Sequence, residues 1–218
     1  MTSQSSRRDS TDQSAVPPQK GGDTRALADA IISRRSRGKM LAEAPSREEI
    51  EQLLASAVYA PNHHETRPWR FFVLSGEARF EFGEVLAKAL RIKMSDLDTE
   101  RLERLAEAER MKPMRSPVLV VAGVVSERDD QMTLREDLQA TSAAIQNMLL
   151  TAELMGLAAI WRTGDGAYDD MVKAHFGLRR QDQIAGIVYV GYPDPSVSSK
   201  SDRERDFSVY TQWRGQLP

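Results

Sequence analysis

The sequence predicts an α+β fold in one domain, and three observations carry that prediction. Apolar positions switch between a helical and a strand period along the chain, without the regular alternation of a βαβ series. The stretch SPVLVVAGVV, residues 116–125, is almost continuously apolar, as in a strand buried on both faces. Beyond residue 23 there is one composition class and no internal repeat, so residues 24–218 read as a single domain.

Residues 1–23 are poor in apolar groups and rich in Ser, Gln, Asp, Pro and Gly, which predicts a disordered N-terminal extension. Asp23 or Thr24 then caps a helix with Leu27, Ala30 and Ile31 at helical spacing, running into SRRSRGK at 33–39. A second helix spans 44–61. Ser46 and Glu49 form its capping box, Ile50, Leu53, Leu54, Ala57 and Val58 its apolar face, and Pro61 its stop. Pro68 and Trp69 lead into a strand, RFFVLS, at 70–75. Two helices rich in Arg, Glu and Leu follow at 78–110 and read as a solvated excursion.

After the buried strand comes the longest helix, 131–155. Its stripe is Leu134, Leu138, Ile145, Met148, Leu149, Ala152 and Met155, with small Ala140, Ser142, Ala143 and Ala144 between, and Gly156 ends it. A strand at 157–162 (LAAIWR), a turn at 163–166 (TGDG), a helix at 169–176 and a strand at 185–193 complete the order. The last 25 residues are polar and irregular, with Tyr210 and Trp213 as expected anchors.

Composition excludes several chemistries. The chain has no cysteine, so disulfides, thiolate metal sites, iron–sulfur clusters and a catalytic thiol are ruled out. A net charge of −2 gives no pull toward nucleic acid or anionic membrane. No apolar run approaches the ~18 residues of a membrane helix, and the N-terminus lacks the apolar middle of a secretory signal. A cytoplasmic protein is the expectation.

Familiar motifs are also missing. There is no phosphate loop, no dinucleotide fingerprint after a strand, and no G-x-S-x-G elbow. The pair His64-Glu65 would begin a zinc-protease motif only with a histidine at 68, where Pro68 stands, so no metal is expected. His175, alone in its helix, reads as a surface or capping histidine. The cluster Arg34, Arg35, Ser36, Arg37 and Lys39 suits a helix C-terminus, an anion pocket built from guanidinium forks and a hydroxyl, or, least well, a nucleic-acid patch. WRTGDG at 161–166 leaves a strand end for a turn whose glycines allow close approach to a flat ring, or simply link strand to helix.

Taken together, RRS (34–36), APNHHETRPW (60–69), GLAAIWRTG (156–164) and GYP (191–193) resemble the nitroreductase family of flavoproteins, closest to its short NAD(P)H nitroreductase subgroup. The resemblance runs in order from about residue 25 to 195. It implies a nitroreductase-like fold: a central mixed or antiparallel sheet flanked by helices, in a homodimer with cofactor sites at the interface. It implies FMN as cofactor and NADH or NADPH as donor. Nitroaromatics, quinones or similar small oxidised acceptors are then reduced by ping-pong hydride transfer through the flavin. No protein residue need be catalytic, because the flavin carries the chemistry.

By the same resemblance, Arg34, Arg35 and Ser36 hold the FMN phosphate and neighbouring polar atoms. Tyr59, His63, Trp161, Arg162 and Thr163 lie against the flavin. Thr151, Ala152, Glu153, Leu154, Met155 and Gly156 match a stretch associated with the nicotinamide nucleotide. The chain departs from the pattern at Arg67, where relatives often carry Gln or Asn before the Pro-Trp pair. Lys200, Arg203 and Arg205 are the candidates for a late phosphate contact. The small residues of the long helix suit either a subunit interface or the chain's own core. Two other readings stay open: a flavoprotein that remodels flavin or dehalogenates, and a non-catalytic scaffold that has lost the cofactor.

Overall fold

A computed structural model describes residues 24–128, 130–197 and 205–215. The predicted extension at 1–23, with Asp23 as a cap, and Lys200 and Arg203 lie outside them. The strands are β1 (Trp69–Ser75), β2 (Val118–Val124), β3 (Ala158–Arg162) and β4 (Gln183–Gly191). The helices are α1 (Thr24–Ser33), α2 (Arg47–Ala57), α3 (Glu77–Lys93), α4 (Thr99–Arg110), α5 (Gln131–Leu154), α6 (Asp165–Tyr168) and α7 (Asp170–His175).

Strand β2 organises the molecule because its apolar run serves two cores. The sheet order is β1-β2-β4-β3 and every neighbouring pair is antiparallel. Side chains alternate across a strand. Val118, Val120, Ala122 and Val124 therefore face one way, against Ile50 and Leu53 of α2 and Ile145 and Met148 of α5. Leu119 and Val121 face the other way, against Phe82 and Leu86 of α3, Ala167 of α6 and Val172 of α7. Each large side chain buried this way contributes about 1.5–3 kcal/mol. The result is a helix–sheet–helix sandwich with β1 and β3 at its edges.

Local signals account for the element ends. Ser46 and Glu49 form the expected capping box. At the end of α5, Gly156 takes φ 73°, its N–H bonds Glu153 O, and the Leu157 N–H bonds Ala152 O. This double closure, with Leu157 buried, satisfies the last carbonyls and needs glycine at the left-handed position.

Three expectations are corrected. Helix α2 ends at Ala57 rather than at Pro61. The Tyr59 and Ala60 N–H groups bond three residues back, and the residue before a proline resists helical geometry, so the chain leaves the helix early. Residues 77–110 are only half a solvated excursion. Phe82, Leu86 and Ala89 recur on one face of α3 and cover the second core, whereas α4 buries only Ala106. Finally, Tyr210 and Trp213 are 89% and 69% exposed, so neither ring is buried as an anchor among the described residues. Their aromatic character signals a need for burial but not which surface meets it. Among the described residues, no helix is long and apolar enough to cross a membrane.

Candidate functional site

The basic segment after α1 is extended and lies along the end of edge strand β3. The Arg37 N–H donates to Ala159 O, the Leu41 N–H donates to Tyr192 O, and Met40 bridges Pro193. Arg34 is half-buried and Ser36 exposed. Arg35 folds back, donating to the carbonyls of Ile32 at 2.7 Å and Arg34 at 3.0 Å. A Cβ placed on Gly38 would stand 3.3 Å from the Arg162 guanidinium, which lies 5.7 Å from the centre of the Tyr189 ring. Burial is the main influence on the Tyr189 hydroxyl and pushes its pKa up, while Arg162 opposes the shift.

Here the structure brings together residues that the sequence scatters. Arg34, Arg35 and Ser36 share this surface with Arg162 and with Arg37, which the resemblance did not assign. Glu153 joins them: it accepts from the Ser33 hydroxyl at 3.3 Å and approaches Arg37 at 3.8 Å. The Arg37 Nε is buried without a hydrogen-bond partner. A cationic surface that holds the Glu153 carboxylate and an unmet buried donor is suited to an anion.

Beyond Arg162, Thr163 and Gly164 are exposed, and Gly164 takes φ 144° and ψ 178°, a backbone conformation that side-chain-bearing residues rarely adopt. Asp165 opens α6 and meets Lys93 at 2.7 Å, a hydrogen bond that holds its carboxyl below the usual range. Behind the turn lies a cleft of about 330 Å³, walled by Leu86, Leu90 and Leu105 with Lys93 and Asp165 at its mouth. Trp161 turns inward instead. Ala122 pairs with Gly186 and Gly123 with Ile184, leaving Ala185 out of register, and the Trp161 indole N–H donates to the freed Ala185 carbonyl at 3.2 Å. Gly186 is required below it, since a Cβ there would fall 1.9 Å from the indole nitrogen.

Of the six residues at the end of α5, Ala152 is sealed in the core and Met155 is half-buried against it. Leu154 and Gly156 are exposed, Thr151 is half-buried, and Glu153 faces the basic segment. The small residues divide as well: Ala144 is core, whereas Ala140 and Ala143 line an open cleft with Asn62, His63, Glu136 and Gln139.

That cleft belongs to the loop 61–68. Asn62 holds it: its amide donates to His63 O and to the Thr66 hydroxyl, and its carbonyl accepts from the Arg67 N–H at 2.6 Å. The Thr66 hydroxyl in turn donates to Asp137 Oδ1 at 2.5 Å. Asp137 is buried and its Oδ2 has no hydrogen-bond partner. Tyr59 and His63 are exposed, and Arg67 points its charge into solvent beside Glu65. Asn62, Thr66 and Asp137 were missed at the sequence level. The available signal was Asp137, a carboxylate on the buried face of α5 with Ala140, Thr141 and Ala144.

One separation dominates the site. Glu136 marks the His63 loop on α5 and Glu153 marks the basic segment, and the helical rise puts about 25 Å between them. In one chain His63 and the basic segment beside Glu153 cannot touch the same small molecule's ring.

Comparison with known proteins agrees with this architecture. A sequence model of the nitroreductase family matches residues 31–192. The Putative NAD(P)H nitroreductase YdjA of Escherichia coli (strain K12) is 30% identical over 169 residues, covering 78% of this chain and 89% of that one. The nitroreductase-like family protein of Bacillus cereus superposes with a TM-score of 0.74 at 24% identity, covering 86% of this chain and 95% of its own. The FMN-dependent nitroreductase NfnB of Mycobacterium smegmatis, solved in complex with NADPH, superposes with a TM-score of 0.67 at 16% identity, over 87% and 98%.

Proposed function

The chain belongs to the nitroreductase family, and from that premise we propose that it is an FMN-dependent oxidoreductase drawing electrons from NADH or NADPH. Its acceptors are nitroaromatics, quinones or similar small oxidised molecules, and donor and acceptor use one cleft in turn. When bound, FMN supplies two-electron transfer between nicotinamide and acceptor. A cytoplasmic location is part of the same reading.

The residues present fit that group. Arg34, Arg35, Ser36 and Arg37 would hold the phosphate, and the orphaned Arg37 Nε is the observation that carries the assignment. Arg162 supplies positive charge at the start of the exposed turn, and Thr163 and Gly164 leave that turn open to a flat ring. Trp161 fixes the strand that delivers Arg162. Glu153, Leu154 and Gly156 are the part of the α5 terminus available to a nicotinamide nucleotide.

The site is completed in a homodimer. A two-fold partner would bring His63 of one chain to the basic segment of the other, which the separation of about 25 Å along α5 otherwise prevents, and Tyr59 would accompany it. Support comes from exposed apolar side chains in the single chain: Leu27, Ile31 and Ile32 of α1, Leu154 of α5, and Phe207, Tyr210 and Trp213 of the C-terminal segment.

The test is anaerobic rapid mixing of the FMN-loaded protein with NADH and with NADPH. Loss of the flavin absorbance band, restored by a nitroaromatic or quinone, is the expected result. Protein that binds no FMN, or bound FMN that neither donor bleaches, overturns the proposal.

A further inference from the structure

We propose that His63, His64 and Glu136 form a binding site for a divalent transition metal such as Zn²⁺. One potential ligand atom from each lies within 4.8 Å of the others. Pro68 removes the second histidine of a zinc-protease motif, and the fold supplies a third ligand from α5 instead. Two imidazoles and a carboxylate are a donor set for Zn²⁺, Ni²⁺ or Co²⁺ and a poor one for Mg²⁺ or Ca²⁺. Three protein ligands leave a fourth position for water.

The backbone creates this arrangement at a cost. His64, Glu65 and Arg67 have φ of 57°, 49° and 47°, left-handed geometry that non-glycine residues seldom adopt. Because His64 is left-handed, its ring swings to the side of its neighbour, and the two ring centres lie 3.8 Å apart. Adjacent residues in an ordinary strand would point to opposite sides. Strain of this kind persists where surrounding contacts over-determine it and clusters at functional sites. The surrounding contacts are present: Asn62 bonds both ends of the turn, and Thr66 ties it to Asp137, the residue after Glu136. In the single chain both rings are exposed and Glu136 is half-buried, which leaves the side chains room to close to bonding distance.

The site rests on its own geometry. His63 is also assigned to the flavin above, so the test reads His64 and Glu136, which that proposal does not use. Untagged full-length protein, with and without FMN, is titrated by calorimetry with zinc chloride, and with magnesium chloride for comparison. One Zn²⁺ per chain is expected, with no response to Mg²⁺. His64→Ala and Glu136→Gln should each weaken Zn²⁺ binding by about tenfold or more, while His175→Ala leaves it unchanged and FMN content stays at the wild-type level in all three. Absence of a Zn²⁺ isotherm, or equal Zn²⁺ affinity in wild type and Glu136→Gln, overturns the site. So does Mg²⁺ binding as tight as Zn²⁺.

Discussion

The Glu153 carboxylate, in the last turn of α5, accepts a hydrogen bond from the Ser33 hydroxyl at 3.3 Å. An acid is thereby placed inside the basic segment that the phosphate reading needs, with Arg37 3.8 Å away. Two opposite effects on affinity follow. Arg34→Ala and Ser36→Ala remove donors to the phosphate and should weaken FMN by about 1.5–3 kcal/mol each, with riboflavin, which lacks the phosphate, nearly unaffected. Glu153→Gln keeps an acceptor for Ser33 but removes the negative charge, and should tighten FMN several-fold. Fluorescence titrations with both ligands decide the matter. Equal losses for FMN and riboflavin would remove the phosphate from this segment.

The hydrogen bond from Trp161 to Ala185 predicts that this tryptophan is structural first. Trp161→Phe keeps the ring but leaves the displaced carbonyl unmet, at a cost of about 1–3 kcal/mol. Gly186→Ala forces a Cβ onto the indole nitrogen at 1.9 Å, in a backbone conformation of φ 159°, and should cost at least about 3 kcal/mol. Urea unfolding of apoprotein measures both. If Trp161→Phe unfolds like wild type while losing FMN, the residue acts on the cofactor directly.

How much of this was legible depended on whether the signal was local. The Ser46–Glu49 box and the Gly156 terminus lie within a few residues of the bonds they make, and both read correctly. Continuous apolar character at 118–124 announced a doubly buried strand, because two faces demand it. Helix α3 was misread since its charged residues outnumber the spaced Phe82, Leu86 and Ala89 that carry its packing. Nothing local could reveal that Glu153 meets Ser33 across 120 residues, or that Glu136 meets His63 and His64. Those partnerships belong to the sandwich, which sets α1 and the 61–68 loop at opposite ends of α5. The exposed Tyr210 and Trp213 showed the opposite limit: their aromatic character led to an expectation of anchoring, and the described residues leave both rings exposed.

Ile32 is 69% exposed on α1, beside the basic segment, and tests whether that surface is an interface. Ile32→Asp would bury an unpaired charge in a dimer but cost a monomer almost nothing. Sedimentation of the variant at micromolar concentration should show a shift from dimer to monomer, with loss of FMN in parallel. Trp213 fluorescence should move to the red as its ring leaves the partner. A variant that is monomeric yet retains FMN would show the flavin site to be complete in one chain.

Acid stability offers a test independent of any ligand. Asp182 is buried, at 3% exposure, and accepts from the Arg179 guanidinium at 2.7 Å and from the Arg179 N–H at 2.7 Å. Burial pushes its carboxyl up, but the Arg179 hydrogen bonds and charge outweigh it and leave the group below the ordinary carboxylate value. A depressed folded pKa means that the unfolded chain takes up the proton first as pH falls. The stabilisation is therefore complete above the unfolded value of about 3.9 and is lost as pH drops through the folded one. Asp182→Asn should be less stable than wild type by about 1–3 kcal/mol at pH 7. Because the variant has no charge to lose, that gap should shrink steadily between pH 5 and pH 2 in urea titrations. A gap that stays constant or widens in acid would mean that the Asp182 carboxyl is not held low by Arg179.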